Sequence, residues 1–196
     1  MKFQTYQEQL KVWPDEGKHV MAQFDDDTII VYQAYSNAIA EFAIKNQYFG
    51  GEFKYSRMSW IKPNFLWMMY RSGWAQKAGQ ECILAIRIKR VFFDEILEAA
   101  VSSTYDQAKY ASHAAWQGAV ANSDVRLQWD PDHDPSGQCL QRRAVQLGLR
   151  GQMLHRFGND EIVEIMDLSS FVKEQRLYLE TDTALITPAE SVYRSI

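Results

Sequence analysis

Residues 25–51 read DDDTIIVYQAYSNAIAEFAIKNQYFGG, and a change of period in the middle of them decides the fold class. Thr28 to Tyr32 form a β-branched run behind an acidic turn, which is the composition of a strand. Beyond Tyr35 the apolar residues Ile39, Phe42, Ala43 and Tyr48 recur at roughly helical spacing. Ser36 and Asn37 carry side chains suited to an N-cap, and Gly50-Gly51 punctuate the far end. Strand, tight turn and helix therefore follow one another within a single short unit.

The same alternation of types runs outward from this unit. ECILAIRIKR alternates from Ile83 onward, with Leu84, Ile86 and Ile88 opposite Arg87 and Lys89, and predicts a half-buried strand. VFFDEILEAAVSS predicts a helix. Residues 103–123 are rich in Ala, Ser and Gln and predict a solvent-facing helix or a helical insertion. DVRLQWDPDHDPSGQ begins as a strand and breaks into a turn-rich loop, since Asp-Pro pairs and Gly137 favour turns. RRAVQLGLRG is a further short strand, and residues 151–158 allow one or two helical turns. EIVEIMDLSSFV reads as a strand that feeds a helix N-terminus at Asp167 to Ser170. Residues 1–19 are polar and mixed, an ordered arm or short helix, and TPAESVYRSI closes the chain. The expected architecture is α+β: one compact domain over residues 1–196, with five or six short strands in a mixed, mainly antiparallel sheet, single or split, flanked by helices.

Composition narrows the function classes. The 196 residues carry 21 basic and 25 acidic side chains, a formal net charge of −4, which is not the strongly basic balance of a dedicated nucleic-acid binder. Two cysteines, Cys82 and Cys139, lack CxxC spacing, so neither a zinc site nor a disulfide framework is expected, and a reducing compartment is. The N-terminal residues have no apolar core, and no run reaches the length of a membrane span. The expectation is a cytoplasmic protein with no membrane partner.

Residues 55–74, YSRMSWIKPNFLWMMYRSGW, hold three of the six tryptophans and three of the seven methionines beside two arginines and a lysine. Pro63 and Gly73 bracket a helix whose Phe65, Met68 and Met69 suit a core. Arg57, Lys62 and Arg71 are candidate anion contacts, because a guanidinium matches phosphate as a planar fork and an ammonium as a point charge. Trp60 beside them is a candidate stacking plate for a base or nicotinamide. Asp130, Asp132, His133 and Asp134 lack the spacing of a calcium loop and read as turn formers, so no metal site is assigned. Gln128, in QWDP, is a candidate ligand contact. Arg142 and Gln146 form a polar comb on one strand face, whereas Arg143 falls on the other. The expectation that ties these together is spatial: the cations and the indole of the central segment converge with Gln33 on one hollow.

The segments TIIVYQAY, RMSWIKPNFLWMMYRSGW, RLQWDP and RRAVQLGL together resemble domain-of-unknown-function family 4291, found in bacteria and fungi, over about residues 20 to 193. That family name implies no activity. VYQAYSNAIAEFAIKNQYF also resembles the first strand, turn and helix of the ADP-ribosyltransferase superfamily. There a Tyr is followed by a His or Arg that holds NAD; here Tyr32 and Gln33 stand at those positions, and Ala34-Tyr35 replace the Gly-Thr pair. The resemblance implies a second element through Ser59 or Tyr55 and a catalytic carboxylate at Glu161, with Glu164 as the alternative. It implies Gln146 in a target-recognising role. NAD would be the cofactor, and the acceptor of ADP-ribose a protein, nucleic acid or nucleotide. Two rival readings use the same residues: a non-catalytic nucleotide- or nucleic-acid-binding domain using Arg57, Lys62, Arg71, Arg142 and Arg143, and a protein-interaction scaffold.

Overall fold

The computed structural model describes residues 1–179 and 184–195. The chain opens with β1 (Phe3–Thr5), α1 (Tyr6–Leu10), β2 (Gly17–Ala22), β3 (Thr28–Tyr35), α2 (Asn37–Asn46), β4 (Ser59–Ile61) and α3 (Phe65–Ser72). It continues with β5 (Cys82–Lys89), α4 (Arg90–Ala99), β6 (Val101–Ser102), α5 (His113–Asn122), β7 (Val125–His133) and β8 (Cys139–Leu149). The last elements are α6 (Gly151–Asn159), β9 (Ile162–Asp167), α7 (Ser169–Gln175), β10 (Ile186–Pro188) and β11 (Ser191–Ser195). The architecture is α+β, and among the described residues the strands fall into three sheets.

The smallest sheet pairs β1 with β10. The three-stranded sheet runs β3-β5-β9, antiparallel throughout. The largest has the order β11-β2-β8-β7-β6, with β4 also on β8. It is mixed: β2 on β8 and β6 on β7 are parallel, and its other pairings are antiparallel. β8 organises it. One edge of β8 pairs along β7, while the other takes β2 at Arg142–Arg143 and β4 at Leu147–Leu149.

Two cores explain why β5 is more buried than its alternation predicted. Ile29 and Val31 of β3 and Leu84, Ile86 and Ile88 of β5 share one cluster with Val125, Val145, Leu147 and Leu149 of the large sheet. The opposite face of β3 and β5, with Ile30, Tyr32, Ile83 and Ala85, packs on Phe65, Met68 and Met69 of α3 and Val172 of α7. Cys82 at its start and Arg87 and Lys89 near its end are the positions of β5 that emerge toward water. Side chains alternate across a strand, so Gln33 belongs to the Ile29–Val31 face. It ends that apolar row at the mouth between the two sheets.

Helix ends follow their sequence signals in part. Asn64 caps α3 by accepting from Trp67 N at 2.7 Å, and Gly73 closes it with a left-handed φ of 59°. α2 ends earlier than Gly50-Gly51, on a left-handed Gln47. β7 continues through Pro131 to His133 where a loop was expected, and β8 is 11 residues long. Residues 103–123 include α5, none of whose residues is buried. The N-terminal segment contributes strand β2, and the closing segment contributes β11, which pairs with it. Among the described residues, no helix is long and apolar enough to cross a membrane.

Candidate functional site

A cleft of about 750 Å³ opens where β3 leaves the small sheet and β4 joins the large one. A bridge between Tyr32 and Lys62 ties the two sheets together there. β3 supplies Gln33 and Tyr35, the segment before β4 supplies Lys54 and Arg57, and β4 supplies Ser59 and Trp60. Lys62 lies just beyond β4, Met68 and Arg71 come from α3, and Gln128 and Gln146 come from β7 and β8.

Hydrogen bonds fix the polar wall. Gln33 donates through Nε2 to Ser59 Oγ at 2.8 Å and to the Trp60 carbonyl at 3.2 Å. The Tyr35 hydroxyl shares a 2.8 Å hydrogen bond with the same Ser59 Oγ. Gln33 is 2 % exposed, and its Oε1 is a buried acceptor without a partner among the described residues. Gln128 and Gln146 face each other across β7 and β8. Both donate to Asp130, at 2.9 Å and 2.7 Å, so each carboxylate oxygen is held by one amide.

The cations are not matched in this way. Lys62 is 4 % exposed, yet among the described residues its Nζ makes no hydrogen bond or ion pair. Burial first and the nearby Arg71 second pull its pKa down from 10.5 to about 8, against the opposing pull of Asp130. Arg57 and Arg71 are exposed at the rim, and among the described residues their guanidinium groups also lack partners. Three cations of the central segment thus border the cleft with no carboxylate within ion-pair distance of any of them among the described residues, although Glu52 and Lys54 also line it.

Trp60 is seated by a glycine. It pairs with Gly148 across β4 and β8, and a Cβ there would lie 2.7 Å from Met58 Sδ and 3.0 Å from the Trp60 ring. Gly148→Ala should therefore tilt the indole and lower stability by about 1–3 kcal/mol, measurable by urea unfolding. An unchanged midpoint would show that the ring has room to move.

Eight of the twelve residues singled out from the sequence line this cleft: Gln33, Arg57, Ser59, Trp60, Lys62, Arg71, Gln128 and Gln146. Four do not, and each has a physical reason. Tyr32 alternates with Gln33 and points to the opposite face of β3, edge-on to Phe65. Tyr55 stacks on His155 and donates to the Phe49 carbonyl at 2.7 Å, which turns it toward α6. Arg142 shares the strand face of Gln146 but lies four residues along it, where the N-terminal segment covers it. Its Nε donates to Asp132 Oδ2 at 2.7 Å, and its guanidinium sits over the Trp13 ring.

Glu161 is the largest correction. It precedes β9 beside Lys89, at the opposite end of β5 from Leu84, the partner of Gln33. Five residues at about 3.4 Å each put the two roughly 17 Å apart along the strand. Its carboxylate is held by Arg156 at 2.8 Å and Lys89 at 3.1 Å, which together with their hydrogen bonds draw its pKa down against the opposing effect of burial, the largest single influence. The alternative, Glu164, pairs with Arg87 at 3.2 Å on the exposed side of the sheet. Neither lines the cleft. Tyr35, Glu52, Lys54 and Gln80 are polar cleft residues that sequence reasoning missed. Tyr35 was legible in principle, being two residues after Gln33 on the same strand face.

The acidic stretch after Trp129 also resolves into separate tasks. Asp130 holds the two glutamines, Asp132 pairs with Arg142, and Asp134 closes its own turn by accepting from Gln138 N and Ser136 Oγ. No curated protein matches this chain. The family model described as a domain of unknown function, DUF4291, matches residues 19–193, a span that contains every cleft residue, and the chain belongs to that family.

Proposed function

We propose that the cleft binds a nucleotide-type anion, a phosphate or diphosphate that carries a planar ring, with NAD among the members of that class. One observation carries the reading: Lys62, Arg57 and Arg71 line one concavity, and among the described residues none of them is within ion-pair distance of a carboxylate, Glu52 of the same lining included. Buried or clustered cations are costly unless paired, and an anionic ligand supplies the missing charge. Trp60 offers a plate for the ring, and the amides of Gln33, Gln128 and Gln146 offer hydrogen bonds to sugar hydroxyls. The cleft volume falls within the range of small-molecule sites.

ADP-ribosyl transfer in the form that the sequence pattern drew needs a carboxylate at the sugar, and Glu161 stands elsewhere. Gln33 and Ser59, the first two positions of that pattern, do adjoin each other through a hydrogen bond. That contact keeps NAD in the test set, while binding rather than transfer is the activity proposed.

Thermal shift and calorimetry with ADP, NAD, adenosine and inorganic pyrophosphate test the reading. ADP and NAD should raise the melting temperature and adenosine should not. Arg57→Ala and Arg71→Ala should each weaken ADP by about tenfold or more, the loss expected for a charge-assisted contact. Equal response to adenosine and ADP, or no response to any of the four, would remove the proposal. A short RNA that binds with a steep salt dependence, while ADP does not bind, would favour the nucleic-acid alternative.

A further inference from the structure

Lys62 has the setting of a reactive amine. Its backbone is fixed: Tyr32 N donates to the Lys62 carbonyl at 2.7 Å, Lys62 N donates to the Tyr32 carbonyl at 3.2 Å, and Pro63 follows. The side chain is 4 % exposed and lines the cleft. A cation this deeply buried in a structural role has a carboxylate against it. Arg142 in this same protein shows that arrangement, 3 % exposed with Asp132 at 2.6 Å. Lys62 does not have it. Asp130, whose charge reaches Lys62, spends both oxygens on Gln128 and Gln146. Gln33 Oε1 is a buried acceptor without a partner among the described residues at the same cleft.

We propose that Lys62 forms an imine with the carbonyl carbon of a phosphorylated aldehyde or ketone, a ring-opened sugar phosphate being the class that fits. Arg57 and Arg71 take the phosphate, and the amides of Gln33, Gln128 and Gln146 meet the sugar hydroxyls. The Nζ lone pair adds to the carbonyl carbon. Both hydrogens of the neutral amine then leave with the carbonyl oxygen as water, and C=N replaces C=O. The step needs no oxidant, reductant or further reactant. The low pKa of Lys62 supports the assignment, because desolvated lysines are the ones that act as nucleophiles. The choice of a phosphorylated carbonyl rests on the anion-binding reading above; the reactivity of the amine does not.

The test is reductive trapping on the full chain. The protein is incubated with ribose 5-phosphate, treated with sodium borohydride, digested and mapped by mass spectrometry. The adduct should fall on Lys62 at about ten times the level on any other lysine, as expected of a desolvated nucleophile. Excess inorganic phosphate should suppress it, and Lys62→Arg should abolish it. Label spread evenly over exposed lysines such as Lys45 and Lys173 would overturn the proposal, and the wild-type map alone decides this if the variant does not fold. The ADP thermal shift, measured in parallel, separates the two readings. A shift without an adduct ends the imine and leaves nucleotide binding, whereas an adduct without a shift does the reverse.

Discussion

Lys62→Met should give a protein that melts about 5–10 °C higher than the wild type at pH 7 and no longer responds to ADP. The gain follows from the amine's surroundings. A lysine whose pKa falls from 10.5 to about 8 on folding destabilises the native state by roughly 3 kcal/mol while it is charged in both states. Methionine removes that charge, keeps an unbranched chain one atom shorter and suits the Met68 that lines the same wall. The pH dependence fixes the sign. Below about pH 8 the folded and unfolded chains both hold the proton, and the penalty is complete. Between about 8 and 10.5 the folded chain has released it and the unfolded chain has not, so wild-type stability rises with pH relative to the variant. The stability gap should therefore be widest near neutrality and close by about pH 10.5, the ordinary lysine value. Arg71 and Asp130, the charges that act on Lys62, are common to both proteins and drop out of the difference. Urea unfolding across that pH range measures it. A variant less stable than wild type at pH 7 would mean that Lys62 has a stabilising partner, and the case for a ligand cation would go with it.

This trade of stability for a charged group is what the sequence could show only in outline. WIKPNFLWMMYRSGW displays the cations, the aromatic and the caps of α3 together, so the region of the site was legible. Pro63 and Gly73 mark that helix because their backbone chemistry is local, although the cap itself is Asn64, one residue beyond the proline. The strand–turn–helix of β3 and α2 was legible for the same reason: the period changes within a few residues. Register is not local. EIVEIMD identifies a strand, but its antiparallel pairing with β5 sets which end Glu161 occupies, and nothing in the segment itself encodes that. The two short strands β2 and β11 escaped notice because each is only half apolar and each is stabilised by partners remote in sequence. Tyr32 was misassigned although the rule was available, since adjacent strand residues cannot serve one cleft. Lys62 and Arg142 make the point most sharply. Both are cations in mixed polar and apolar sequence, and both are buried. One has a carboxylate and the other does not, and only the fold decides which.

Asp132→Ala should be the most destabilising single change outside the apolar core, with a loss of about 3–5 kcal/mol, because it strands the Arg142 charge in the interior. Asp132 is 1 % exposed and Arg142 3 % exposed. Arg142 Nε donates to Asp132 Oδ2 at 2.7 Å, and Nη2 lies 2.6 Å from the same oxygen at too oblique an angle for a second hydrogen bond. Nη1 donates to the Pro14 carbonyl at 2.7 Å, and the guanidinium covers Trp13. Trp13 in turn donates to the Glu190 carbonyl at 2.8 Å, and the Glu190 carboxyl accepts from Phe65 N at 2.7 Å and Asn64 Nδ2 at 3.1 Å. The ion pair is thus linked through the N-terminal segment to the first turn of α3, the helix that carries Arg71. Burial pushes the Glu190 carboxyl well above its ordinary pKa, and Asp132 adds to that rise. Removing Asp132 relieves that repulsion on Glu190, so the loss expected here comes from the stranded Arg142 charge and not from the α3 cap. A double-mutant cycle separates the pair from its surroundings. Asp132→Ala with Arg142→Met leaves no stranded charge and should recover a large part of the loss, so the two changes together should cost less than their sum by about 2 kcal/mol or more. Strict additivity would mean that Asp132 and Arg142 act independently, and the chain of contacts from β7 to α3 would then have no energetic content.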